Sequence, residues 1–164
     1  MKLSANGHVF SEILIEVFRL NGLALAAGDR LTKPLALTSA RWQVMGVIDH
    51  APAPVAHVAR LMGLTRQSVR ETADALARAG FVSFSDNPHH RTARLLTLTD
   101  EGRRALRSVE QEHAAWASRL GRSFEPSELT AGLAALRGIR EALEHAAASS
   151  GGAVAKKGKR KGRP

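Results

Sequence analysis

Between residues 55 and 99 two short helical stripes meet at a glycine, and two strand-like runs around a polar loop follow the second. Few folds satisfy that order. The first stripe, roughly 56–62, turns Val58, Ala59 and Met62 to one side, and Gly63 permits the sharp bend of a helix-turn-helix. Thr65 is placed to cap the second helix, because its hydroxyl can accept from the free amides of the first turn. Val69, Ala73 and Leu76 recur at helical spacing as its buried stripe. Gly80 stands where a left-handed cap is wanted, with Phe81 able to fold back onto Leu76. Val82 and Phe84 then alternate with Ser83 and Ser85, a strand signature with one wet face. Asp86-Asn87-Pro88 is turn chemistry, 94–98 reads as the returning strand, and Thr99 caps the next helix. The spacing predicts a winged helix-turn-helix over 39–99.

The second helix has an apolar back and a polar, basic front. Thr65, Arg66, Gln67, Ser68 and Arg70 crowd its N-terminal half, and all are hydrogen-bonding types. Such a front fits a major groove about 12 Å wide, where Arg and Gln read guanine and adenine edges. The loop His89-His90-Arg91-Thr92 places Arg91, beside His90, at the tip of the wing. An arginine there suits the narrow minor groove, whose negative potential attracts it. The plain alternatives are a helix pair used only for protein packing and a loop charge that is merely solvated. A basic wing at this distance from a basic helix front favours double-stranded DNA over packing alone.

The run Val58-Ala59, Met62-Gly63-Leu64-Thr65, Leu76, Ala79-Gly80-Phe81-Val82, Asn87-Pro88, Arg91, Leu98-Thr99 and Gly102 resembles the MarR (multiple antibiotic resistance regulator) family of bacterial transcription factors. The likeness covers about 8–147 in layout and is tight over 55–102. Where the family usually has an Asp-Arg pair in the wing, His90 precedes Arg91; Ser83 and Phe84 stand where charged residues are usual. The resemblance implies a homodimer that binds a pseudo-palindromic operator and is released by a small aromatic or anionic effector. That effector would sit between the DNA-binding lobe and the dimerisation helices, with Trp42 and His113 as candidate lining residues.

The flanks agree with a mainly α fold carrying a small β-hairpin wing and N- and C-terminal dimerisation helices. Asn6 or Ser4 can start a first helix running to about Ala27. Val9, Phe10, Ile13, Leu14, Val17, Phe18 and Leu20 spread wider than one core-facing stripe, so residues 8–27 predict a subunit interface. Thr38 caps a helix of about 39–49 with Trp42, Met45 and Ile48 inward. As an aromatic at helical spacing, Trp42 also reads simply as core. Across 100–147, Leu106, Val109, His113, Trp116 and Leu120 form a heptad seam, and Pro126 restarts the chain in a last helix to about Ala147. His113 on that seam is either a satisfied interface residue or a switch, since histidine titrates near neutrality.

The 164 residues are 44% hydrophobic, enough for one domain with a real core, and contain no cysteine, which excludes disulfides and thiolate metal sites. No set of nucleophile, base and orienter appears, so neither catalysis nor a cofactor is expected; Glu141 with His145 and Glu110 with His113 could each begin a metal site, but neither pair has a third ligand, so no metal is expected. The N-terminal apolar stretch is interrupted by Glu12, Glu16 and Arg19, and nothing approaches a membrane span; the expectation is a cytoplasmic protein without a membrane partner. Of the net charge of +9, six units lie in Lys156, Lys157, Lys159, Arg160, Lys161 and Arg163, leaving +3 elsewhere. From 148 onward little can be buried, which predicts a disordered basic tail. Gly162-Arg163-Pro164 behind basic residues resembles a minor-groove AT-hook, though Lys161 stands where that motif prefers arginine; a generic counterion-releasing tail is the favoured reading, because a basic run binds phosphate without special geometry. A tail-dominated architectural DNA-binding protein with little sequence preference is therefore the competing function.

Overall fold

A computed structural model describes residues 2–88, 90 and 92–158, with side chains up to 149. The expected site residues Arg91, Lys159, Arg160, Lys161 and Arg163 lie outside the described residues. The chain divides into two compact units, 1–115 and 116–164, and the division falls within α5 (Asp100–Gly121).

The first unit opens with α1 (Ala5–Thr32), capped by Ser4, whose hydroxyl accepts from the Gly7 amide at 3.1 Å. It runs past the expected end near Ala27 because Gly28 is not a stop signal: a side chain there would meet Ser39, with Oγ 2.5 Å from the added carbon. Gly28 lets α1 approach α2 (Ser39–Asp49), which starts at the expected Thr38 cap. The Asp29 carboxylate accepts from the Ser39 amide at 2.7 Å and fixes that joint.

Next come β1 (Ala53–Pro54), α3 (Val55–Met62) and α4 (Arg66–Arg78), followed by β2 (Val82–Ser85) and β3 (Leu95–Leu98). Gly63 adopts φ +63°, a left-handed conformation that β-carbon contacts disfavour, and its amide closes α3 onto Arg60. Thr65 Oγ1 accepts from the Ser68 amide at 3.1 Å, the cap expected for α4. At the other end Phe81 does fold back, its amide donating to the Leu76 carbonyl at 3.0 Å.

The sheet is antiparallel with order β1-β3-β2, so the wing hairpin gains a third strand. That strand was not expected. Two residues show no alternation, and Pro54 reads as a helix breaker, yet proline is tolerated on an edge strand. In register, Phe84 faces Leu96 and Val82 faces Leu98. Met45, Ile48, Val58, Val69, Leu76, Leu96 and Leu106 form the buried core of this unit. Val44, at 1% exposure, joins the inward set of α2, while Trp42 is half-buried. By contrast α1 leaves Val9, Ile15, Phe18, Leu20 and Leu23 exposed, Phe18 at 74%.

The second unit holds the end of α5 and α6 (Pro126–Gly158). Pro126 occupies the first helical turn, where its missing N–H costs nothing, and Glu128 accepts from the Glu125 amide at 3.0 Å. Leu129, Leu133, Leu136 and Leu143 form a stripe exposed in the single chain. The helix continues to Gly158, beyond the expected end near Ala147. Alanines at 146–148 and 153 are the best helix formers, against which Gly151 and Gly152 weigh only about 1 kcal/mol each. Among the described residues no helix is long and apolar enough to cross a membrane, and no three His, Asp or Glu side chains are grouped to hold a metal.

Candidate nucleic-acid interface

The buried stripe of α4, Val69, Ala73 and Leu76, faces the core and so turns Arg66, Gln67, Ser68 and Arg70 outward. All four are exposed, as the sequence led us to expect. Their side chains differ in freedom. Gln67 Nε2 donates to Glu71 Oε1 at 2.8 Å, one turn along the helix. Arg70 Nε lies 3.0 Å from both carboxylate oxygens of Asp74, again one turn along. The Thr65 hydroxyl is engaged in capping. No ion pair among the described residues holds Arg66.

The guanidinium of Arg70 also rests over the ring of Phe84 on β2, 5.0 Å from its centroid. A second guanidinium shares that ring. Arg94, just before β3, has its Cζ 5.5 Å from the Phe84 centroid, and its Nη2 donates to the Phe84 carbonyl at 2.5 Å. Arg66, Arg70 and Arg94 thus converge on a cleft of about 240 Å³ between α4 and the wing, walled by Phe84, Pro54 and Val55. By sequence alone Arg94 is only the start of a strand. The pattern RxL at a strand's edge carries no sign of the ring it will sit on.

A second, larger cleft of about 550 Å³ lies on the other side of Arg66, lined also by His57, Arg60 and Leu64. Arg60 Nη2 is 2.8 Å from His57 Nδ1. Because arginine has no acceptor, Nδ1 must be the accepting nitrogen in this pair. Neither His57 nor Arg60 was expected in the site, since they stand on α3 and only the turn at Gly63 brings them beside Arg66. On the wing, His90 Nδ1 lies 3.3 Å from Thr92 Oγ1, and the loop is closed by the His90 amide donating to the Asn87 carbonyl at 3.1 Å. His90 is exposed at the foot of the tip, next to the position of Arg91.

Trp42 and His113, 71 residues apart in the chain, meet in the first unit: their ring centroids are 5.1 Å apart at 61°, an edge-on contact. Neither lines the two clefts above. Along the seam of α5, Leu106 and Val109 are buried, His113 and Trp116 half-buried, and Leu120 is 50% exposed.

Comparison with known proteins agrees with this architecture. A MarR family model matches residues 37–91, which span α2, the helix-turn-helix and the first wing strand. Uncharacterised proteins of Mycobacterium bovis and Mycobacterium tuberculosis are 34% identical over 134 residues, covering 82% of this chain and 94% of theirs. The crystal structure of Sco5413, a MarR family transcriptional regulator from Streptomyces coelicolor, is similar with a TM-score of 0.71 at 25% identity, over 82% of this chain and 95% of that one. CouR from Rhodococcus jostii, solved with p-coumaroyl-CoA bound, shares the fold with a TM-score of 0.70 at 22% identity, over 79% of this chain and 93% of its own. A helix-turn-helix with a paired wing, set between long flanking helices and matched at this level, places the chain in the MarR family of winged helix-turn-helix transcriptional regulators.

Proposed function

We propose that the protein is a homodimeric regulator that binds a pseudo-palindromic operator through α4 and the wing, and that an aromatic or anionic small molecule releases it. The observation that carries this reading is the exposed front of α4, Arg66 to Arg70, set beside the basic base of the wing. In such an interface α4 enters the major groove, Gln67 and Arg70 read base edges, and His90 with Arg91 lies along the flanking minor groove. Two-fold symmetry puts the half-site centres about one helical turn, roughly 10–10.5 bp, or a multiple of it apart.

The dimer follows from uncovered apolar surface. The outer face of α1 and the leucine stripe of α6 are each too apolar to face water, and pairing with a second copy removes them from it. Ile13→Glu or Leu143→Glu is therefore expected to give monomers by analytical ultracentrifugation. Operator affinity should fall by about 10²–10⁴-fold, because the second half-site no longer binds intramolecularly. A wild-type protein that is monomeric at working dilution and still binds its operator tightly is the contrary result.

The ligand reading rests on family membership and on CouR, whose bound p-coumaroyl-CoA is both aromatic and anionic. The Trp42–His113 contact is the proposed lining. Binding there acts by favouring a separation of the two recognition helices that does not fit DNA. Linkage then requires operator DNA to weaken effector binding by the same factor. Genomic footprinting with and without small aromatic acids tests the whole proposal. A bounded, symmetric footprint that fades with one acid is expected, and repression of the adjacent gene should lift with it. Uniform coating of DNA would point instead to an architectural protein read through its tail.

A further inference from the structure

Resting on that DNA-binding reading, we propose a division of labour in the cleft between α4 and the wing: Arg94 is a backbone-phosphate contact, Arg70 is a base reader, and Phe84 is the residue that positions both. The charges decide which arginine does which. Arg70 is paired with Asp74, so the two together bring no net charge to DNA and displace few counterions from it. Arg94 has no ion pair among the described residues, and its full positive charge sits at the mouth of the cleft beside Arg66. A phosphate completes a charge-assisted contact with Arg94 at no cost to an existing pair.

The donors tell the same story. Arginine carries five N–H donors in a rigid plane, and the Phe84 carbonyl takes one from Arg94. The remainder are left for a phosphodiester oxygen. On Arg70 it is Nε that faces Asp74, which leaves the terminal nitrogens in the fork geometry that matches guanine O6 and N7. Neither guanidinium is held by its own stem alone. Phe84, packed against the core and paired with Leu96, has its ring centroid 5.0 Å from the Cζ of Arg70 and 5.5 Å from that of Arg94, and cation–π attraction to both, with the carbonyl bond to Arg94, restricts where they point. A flexible side chain must be ordered when DNA arrives, and the ring has already done part of that ordering.

Three pairs of measurements test this on the full-length protein. The probes are the duplex that the wild type selects from a randomised pool and a scrambled duplex of equal composition. Arg94→Ala should reduce the slope of log affinity against log salt by about 0.9 per subunit and weaken both duplexes alike. Arg70→Ala made together with Asp74→Ala, so that no unpaired carboxylate faces DNA, should leave that slope nearly unchanged and cut the preference for the selected duplex by about tenfold per half-site. Phe84→Leu should lose the same preference, and Phe84→Tyr, which keeps the ring, should retain it. The loss from Phe84→Leu should add little to that of Arg70→Ala in the double variant, whereas a merely structural Phe84 would contribute an independent loss. An unchanged slope in Arg94→Ala, a changed slope in the Arg70→Ala, Asp74→Ala variant, or full additivity of Phe84→Leu with Arg70→Ala overturns the inference while the regulator reading stands. A wild type that selects no duplex from the pool ends both.

Discussion

Gly102→Ala is expected to destabilise the winged-helix unit by about 2 kcal/mol, although alanine is the better helix former. Gly102 lies buried in the first turn of α5, and an added β-carbon would overlap the carbonyl oxygen of Phe81 while standing only 3.0 Å from its carbon and 3.2 Å from Leu98 Cδ2. The carbonyl has nowhere to go. It accepts from the Thr99 amide at 3.1 Å, and the Phe81 amide is tied to Leu76 at 3.0 Å. Thr99 Oγ1 in turn reaches the Gly80 carbonyl at 2.7 Å and accepts from the Gly102 amide at 3.0 Å. The α4–β2 corner and the start of α5 are one knot, and a side chain inserted there moves backbone. Overpacking of that kind costs roughly 3 kcal/mol, against which the helix-propensity gain of about 1 kcal/mol is too small. A fall in Tm of about 4–8 °C by circular dichroism corresponds to the difference. The comparison that isolates the cause is Gly46→Ala, also within a helix but with nothing within 4 Å of the added carbon. It should gain a fraction of 1 kcal/mol. If Gly102→Ala melts at or above the wild type, the close approach is not what the residue is for.

Deleting residues 156–164 is expected to have the largest effect on affinity. The segment carries six cations and no acid. If each neutralises one phosphate beside the site that α4 occupies, the salt slope flattens by about 5 per subunit on deletion, since each contact contributes about 0.9. Affinity should drop on every duplex, and the ratio of operator to random binding should survive, because the proposed base reading by Gln67 and Arg70 lies outside the deleted segment. An AT-hook predicts something narrower: Arg163→Ala alone reproduces most of the loss, and only on A·T-rich DNA. We expect the generic outcome, since a run of cations binds phosphate without special geometry. Equal salt slopes for full-length and truncated protein would remove the tail from DNA binding. The cut leaves α6 intact to Ala155, so the loss is not one of fold.

Much of the site was legible as local pattern. The Thr65 cap, the turn at Gly63, the buried stripe Val69-Ala73-Leu76 and the strand alternation of Val82 and Phe84 all depend on neighbours within one or two turns. They appear in the structure where periodicity puts them. The Arg70–Asp74 and Gln67–Glu71 contacts were equally readable, being i, i+4 pairs of complementary groups on one helix face. They matter because they show that exposure alone does not make a side chain free. Counted only by its charge, Arg70 would be expected to add a full step to the salt slope, whereas its pairing with Asp74 predicts little.

What the sequence determined by itself is therefore the set of elements and their polarity: where each helix starts, which face it buries, and that the outward face of α4 is basic. Hydrophobic spacing and capping act over a few residues, so they can be read along a line. Tertiary structure alone decided which side chains from distant elements share a place. Pro54 becomes a strand only because Leu95 lies opposite it. His57 and Arg60 join Arg66 across a turn, and Trp42 meets His113 across most of the first unit. Arg94 acquires a direction only from the ring and carbonyl of Phe84 on the neighbouring strand. In each case the cause is packing between segments whose separation along the chain says nothing about their distance in space.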